Sequence, residues 1–197
     1  MKVISICIPV YNEETNIENT YNTIKNLFEK KLINYDYEII FTDNHSYDKT
    51  QEIITDLCSK NNKVKYIRFR SNLLYDKSIL EGYKNSNGDA AIVLNCDLQD
   101  PPELIEKFIY QWEQGNDVVY GVVNSRQENF IVNSLRIFFY YIMNSNTEIK
   151  YPLNAHDFRL LDRKVINNLK DINNLFPYVR GLTYSLAKKP YGIEYDR

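Results

Sequence analysis

The chain has 197 residues, 44% hydrophobic and 25% charged, a balance that suits one sizeable folded domain and excludes a disordered or fibrous protein. Lys and Arg number 24 against 26 Asp and Glu, for a formal net charge of -2. That excludes a general polyanion-binding surface, so no nucleic-acid partner is expected, and leaves room for a local basic pocket only. Val3–Pro9 is a short apolar run and predicts a buried strand. Thr15–Lys30 follows with helical spacing at Ile17, Ile24, Leu27 and Phe28, and Thr15 with Glu18 forms the pattern of a capping box. Tyr37–Thr42 predicts the next strand. Asp48 is placed to cap a helix running to about Ser59, with Ile53, Ile54 and Leu57 inward. Val64–Phe69 predicts a strand, Lys77–Asn85 a short helix, Ala90–Leu94 a strand and Pro102–Gln114 a helix whose prolines suit its first turn. Asp117–Val123 predicts a further strand.

Alternation of this kind implies an α/β fold, a Rossmann-like, mostly parallel sheet with helices on both faces. There is no internal repeat, low-complexity segment or linker, so residues 1–197 read as one domain. No signal peptide is expected from "MKVISICIPVYNEE", and no apolar stretch reaches transmembrane length. Cys7, Cys58 and Cys96 are scattered and odd in number, which suits a reducing compartment and a cytoplasmic location.

Ligands of open parallel sheets bind beyond the carboxyl ends of the strands. Tyr11-Asn12-Glu13, Asp43-Asn44 and Asn95-Cys96-Asp97 each follow a predicted strand, so three polar clusters converge on one edge. One such cluster is well explained by turns and helix caps. Three, with Gln99 and Asp100 added, point to a site. Asp97 and Gln99 offer hard oxygen ligands suited to Mg²⁺ or Mn²⁺, an ion that keeps waters and takes further ligands from a bound phosphate. Asn95, beside them, is neutral. His45 and His156 lack a zinc spacing. The sequence contains no Gly-x-Gly-x-x-Gly, P-loop or Gly-x-Ser-x-Gly pattern.

The stretches "IPVYNEE", "EIIFTDNHSYDKT", "SNGDAAIVLNCDLQDPPELI" and "HDFRLLDRKVI" together resemble the family 2 glycosyltransferases of GT-A fold. Within them the chain is most similar to the polyprenyl-phosphate sugar transferases, the branch of the dolichyl-phosphate-mannose synthases. The resemblance spans nearly the whole chain, and "DLQDPPELI" and "DFRLLDR" are its specific pieces. It implies an inverting, metal-dependent transfer of a sugar from a UDP- or GDP-sugar to an acceptor, expected to be polyprenyl phosphate. The alternatives are a glycan or other hydroxyl acceptor, or a non-catalytic binding domain of the same fold.

The resemblance also implies roles. Pro9, Tyr11 and Glu13 would line the base and ribose, and the acid pair that contacts the nucleotide falls on Asp43 and Asn44. The Asp-x-Asp metal motif falls on Asn95-Cys96-Asp97, with Asp97 and Gln99 holding Mg²⁺ or Mn²⁺. Asp157 matches the acid near the transferred sugar and acceptor, making Asp97 and Asp157 the catalytic candidates. Arg126, Arg136 and Tyr140 lie where the family holds phosphates. The chain departs from the family at Asn44 and Asn95, which replace acids, at Leu74, near a usual glycine, and after Gly121, where an arginine is common. The C-terminal segment "YVRGLTYSLAKKPYGIEYDR" resembles the family's approach to its membrane region, so contact with a membrane surface is expected, and self-association is left open. Phe130–Met143, apolar on most sides, reads either as a helix lying on the membrane or as one packed against the sheet.

Overall fold

The structure is a computed structural model, and it describes residues 1–123, 155–174 and 176–196. Seven strands and six helices are described: β1 Lys2–Val10, α1 Ile17–Lys30, β2 Tyr35–Asp43, α2 Thr50–Lys60, β3 Val64–Arg68, α3 Tyr75–Lys84, β4 Ala90–Val93, α4 Leu104–Glu113, β5 Val118–Val123, β6 Ala155–Asp162, α5 Arg163–Leu169, α6 Val179–Leu186 and β7 Pro190–Tyr195. The strands form one sheet in the order β3-β2-β1-β4-β6-β5-β7. The β1–β2, β1–β4, β2–β3 and β5–β7 pairs are parallel, while β6 runs antiparallel to both β4 and β5.

The period of two along β1 builds the core. Ile4, Ile6, Ile8 and Val10 point into a layer filled by Ile24 and Phe28 of α1, Ile54 of α2 and Phe108 and Trp112 of α4. Cys7, on the opposite face, meets Leu80 and Tyr83 of α3 and Ile166 of α5. The sheet is thus covered on both faces, as its near-continuous apolar strands require. Gly82 lets α3 come down onto β1: a Cβ there would sit 2.9 Å from the Cys7 Cβ.

The expected elements up to residue 123 are present, with ends moved by one or two residues. The Thr15–Glu18 capping box does not form. Helix α1 starts at Ile17 with Asn16 at its cap and no side-chain capping bond. Glu13 organises the turn instead, its carbonyl accepting from the N–H groups of Asn16 and Ile17 and its carboxylate from Asn16 Nδ2. Asp48 accepts from the N–H of Thr50, as expected of a helix-starting acid. Elements β6, α6 and β7 lack the clear alternation of the earlier ones. The stretch Phe130–Met143 lies outside the described residues, and no described helix is long and apolar enough to cross a membrane.

Candidate active site

The carboxyl edge of the parallel strands carries all four described non-glycine residues with positive φ: Asn12 (56°), His45 (70°), Leu74 (69°) and Leu98 (53°). Each lies in the loop that follows one of β1 to β4. Leu74 is the most constrained, since its ψ of 164° puts it in a region that only glycine occupies without strain. Such strain persists where the surrounding contacts hold it, and here they do. The loops after β1 and β2 are laced together: Asn12 N–H donates to Ser46 Oγ, Tyr47 N–H to Asn12 Oδ1, Glu13 N–H to Thr50 Oγ1 and Glu14 N–H to Asp48.

Between these loops opens a cavity of about 510 Å³. Pro9, Tyr11, Glu13, Asn44, Asn95, Asp97 and Asp157, all named from the sequence, line it. So do Asn72, Tyr75, Ser78 and His156, to which the sequence reading gives no role there. Asp43 does not reach the wall. It is fully buried, one oxygen accepting from Ser46 N–H and Oγ and the other from the Tyr66 hydroxyl, with Arg68 Nε at 3.6 Å. Its work is to hold the loop that presents Asn44. Gln99 is exposed and stands off the cavity wall. Arg126, Arg136 and Tyr140 lie outside the described residues.

Asn95 is wired on both sides. Its Oδ1 accepts from the Tyr75 hydroxyl at 2.6 Å, and its Nδ2 donates to Asp100 Oδ2 at 3.3 Å. Asp100 has no exposed surface; it also accepts from the Tyr195 hydroxyl of β7, and His156 Nδ1 lies 3.3 Å away. An acid at position 95 would face the Asp100 carboxyl across that 3.3 Å gap, where two negative charges repel. The amide is therefore the residue that fits this turn. Thr20 Oγ1 donates to the Cys96 carbonyl and fixes the same turn from α1. Burial pushes the Cys96 thiol up to about 12, so it is no nucleophile.

Asp157, at the start of β6, takes a two-pronged contact from Arg180 of α6: Nε to Oδ1 at 3.1 Å and a terminal nitrogen to Oδ2 at 2.7 Å. Arg159 lies 3.7 Å from Oδ1. Burial opposes ionisation of Asp157, yet Arg180 and then Arg159 outweigh it and hold the carboxyl below its ordinary value. Arg159 is itself buried and donates to Thr183 Oγ1 and the His156 carbonyl. Arg163 turns away, to the Gly88 carbonyl and Ser86. Arg180 is thus a site residue that the sequence reading passes over; it stands in the quoted "YVRGLTYS" without a partner in sequence to mark it.

A divalent ion fits this donor set in one way. Among the described residues no three His, Cys, Asp or Glu side chains gather to form a cage. Asp97 is exposed and on the cavity wall, with one oxygen accepting only from the Gln99 N–H. A single carboxylate facing a cavity suits Mg²⁺ or Mn²⁺, hard ions that keep waters and share a substrate's phosphate oxygens.

A parallel-stranded α/β sheet with an acid-lined cleft at its carboxyl edge is the frame of a nucleotide-dependent transferase. The chain belongs to glycosyl transferase family 2, whose family model matches residues 5–170. It is 37% identical over 194 residues to YkcC, an uncharacterized glycosyltransferase of Bacillus subtilis, covering 98% of this chain and 59% of that one. It is 31% identical over 195 residues to the bactoprenol glucosyl transferase of Shigella phage SfX, covering 98% and 63%. The chain thus spans about three fifths of the length of these curated relatives. Among solved structures, S. aureus TarS 1–349 in complex with UDP-GlcNAc superposes with a TM-score of 0.66 at 17% identity, covering 100% of this chain and 59% of that one. Glucosyl-3-phosphoglycerate synthase from Mycobacterium tuberculosis, in complex with Mn²⁺, UDP and phosphoglyceric acid, gives 0.61 at 17%, covering 100% and 71%. These likenesses establish the GT-A fold.

Proposed function

We propose that residues 1–197 are the catalytic domain of an inverting glycosyltransferase that moves a sugar from a nucleotide-diphosphate donor to polyprenyl phosphate at the cytoplasmic face of a membrane. The observation that carries this reading is the state of Asp157. Held ionised by Arg180 and Arg159, it is a poor proton acceptor. A hydroxyl acceptor needs a base to take its proton, whereas a phosphate arrives already ionised. Asp157 then stabilises the positive charge that grows on the sugar as the anomeric bond breaks. The likeness to the bactoprenol glucosyl transferase over 98% of the chain supports the same acceptor class.

The residues divide the work along the strand order. Pro9, Tyr11 and Glu13, at the end of β1, meet base and ribose. Asp97, after β4, is the protein ligand for Mg²⁺ or Mn²⁺, which when bound neutralises charge on the departing diphosphate. Arg180 orients Asp157 and keeps it charged. Arg126, Arg136 and Tyr140 are the proposed acceptor-phosphate residues by resemblance; a planar guanidinium fork grips two phosphate oxygens at once. The test is transfer of labelled sugar from UDP- and GDP-sugars to a short-chain polyprenyl phosphate, with Mn²⁺ or Mg²⁺ present. Lipid-linked product is expected. Transfer to soluble glycans alone, by this chain and by a form extended through the length of its relatives, would sink the acceptor assignment.

A further inference from the structure

Asn44 stands where the family usually has an acid, and the structure shows what the amide does there. The Leu73 N–H donates to Asn44 Oδ1 at 2.7 Å. Asn44 Nδ2 donates to Asn72 Oδ1 at 2.8 Å, and the Leu74 N–H donates to the same oxygen at 3.0 Å. Two backbone N–H groups, which can only donate, thereby fix which end of each side-chain amide is the oxygen. Asn44 is 6% exposed and spent on this loop. Asn72 is exposed and lies on the cavity wall. With its oxygen held by two donors, the group it has left to offer is its N–H₂. The strained backbone of Leu74, φ 69° and ψ 164°, is what turns its N–H back onto Asn72.

Strand order says what the N–H₂ meets. Asn44 and Asn72 follow β2 and β3, whereas Asp97 and Asp157 belong to β4 and β6 on the other side of β1. With the diphosphate at Asp97 and the sugar at Asp157, the remaining end of the donor, its base, lies against Asn72. Uracil and cytosine share one shape and differ on one edge. Uracil carries a carbonyl oxygen there, cytosine an amino group. An N–H donor matches the first and opposes the second.

We propose that Asn72 is a specificity-determining residue for the base, its amide nitrogen donating to the O4 carbonyl of a uracil, and that Asn44 is the positioning residue that holds the amide in that orientation. The assignment rests on the donor reading of the site given above. An acid at position 44 would accept from Leu73 N–H and would have no hydrogen to give Asn72. The Asn72 amide would then turn its N–H₂ inward and show its oxygen to the cavity. The wild-type asparagine at 44 therefore selects for uracil at second hand, through Asn72.

The experiment is titration calorimetry of the chain with UDP, CDP and GDP in Mg²⁺, for wild type, Asn72→Ala, Asn72→Asp and Asn44→Asp, with melting curves for each. The readout is the ratio of UDP to CDP affinity, which cancels effects common to both ligands. Wild type is expected to favour UDP by roughly tenfold or more, the worth of one well-placed hydrogen bond and the clash avoided. Asn72→Ala should bring the ratio to near one. Asn72→Asp keeps an acceptor for Leu74 N–H and presents oxygen to the cavity, so the ratio should invert; Asn44→Asp should move it the same way. A wild-type ratio in both Asn72 variants, with melting unchanged, would overturn the proposal and reduce Asn72 to a loop former. Wild-type binding of GDP but not UDP would also overturn it and leave the transferase reading standing. Failure of wild type to bind any of the three would bring down the donor reading itself.

Discussion

The two edges of the sheet both hold a buried acid, and they use it differently. At the amino edge, Glu38 is 8% exposed. It accepts from Ser5 Oγ and the Asn87 N–H at 2.6 Å each and pairs with Lys65 at 2.6 Å. Ser5 Oγ in turn accepts from Gly88 N–H, and Arg163 closes the group on the Gly88 carbonyl. That network opens onto no cavity of the site. The left-handed turn on that edge, between α4 and β5, uses a glycine, Gly115. At the carboxyl edge Asp100 and Asp157 lie behind a cleft, and leucines and an asparagine occupy backbone angles that suit glycine. A buried carboxylate network alone therefore does not mark a site; a network joined to strain and an open wall does.

The largest effect that would sharpen this contrast is at Asp97. Asp97→Ala should weaken Mn²⁺-dependent UDP binding more than a hundredfold, beyond the loss typical of a residue that merely supports a ligand. Its melting temperature should stay at the wild-type value, because Asp97 is exposed and bonds only to its own turn. Equal UDP affinity in the variant, by calorimetry with and without Mn²⁺, would break the division of labour between the edges.

Glu38 should show the reverse. Glu38→Ala leaves Asn87 N–H and the Ser5 hydroxyl without their acceptor and should cost about 2–3 kcal/mol of stability in urea unfolding. UDP affinity should not change. The pH dependence has a definite sign. Burial pushes Glu38 up, but Lys65, Ser5 and Asn87 together hold it below its ordinary 4.5. A depressed acid contributes stability that is present above its unfolded value and lost as pH falls through the folded one. Wild type should therefore lose stability more steeply than Glu38→Gln below about pH 4.5. Parallel curves would remove Glu38 from the account.

Smaller effects test the strain and the charge behind the cleft. Leu74→Gly should stabilise the chain by about 1 kcal/mol, the relief of strain exceeding the added freedom of the unfolded chain. A destabilised variant would show that Leu74 is not strained. Asp76→Asn should add a few tenths of a kcal/mol at pH 7. Burial raises the Asp76 carboxyl, and Asp157 adds to this against the Val179 N–H and the arginines. An acid raised in the folded state loses stability as pH rises through that value, so the gain should vanish near pH 3. The asparagine still accepts from Val179 N–H, which bonds to Asp76 Oδ1 at 3.1 Å. A gain that persists in acid would point to packing instead of charge.

The sequence carried the sheet and much of the cleft because both follow local rules. Apolar runs ending in Tyr11, Asp43 and Asn95 announce strands and the edge they share. The resemblance correctly brought Asp157 to that edge from a region where alternation is weak. Contacts between distant segments were not legible. Nothing local pairs Arg180 with Asp157, 23 residues earlier. Nor does "SNLLYD" reveal that Asn72 is held by Asn44, or that Tyr75 reaches Asn95. Asp43 looked equivalent to Asn44 in sequence, yet successive positions at a strand end point opposite ways, and Asp43 turned into the protein. The Thr15 capping pattern failed because Glu13, already tied to Thr50, set the first turn of α1.

The bond from the Tyr195 hydroxyl to Asp100 joins residues 95 positions apart and ties the last strand to the turn that carries Asp97. A ribosome delivers the chain from its N-terminus, so strands β1 to β4 emerge long before β7. Until residues 190–195 have left the exit tunnel and paired with β5, Asp100 lacks one of its hydrogen-bond donors and the Asn95–Asp97 turn lacks its backing. The cleft is therefore completed last, and a nascent or prematurely terminated chain that has already built most of its core should not yet hold nucleotide.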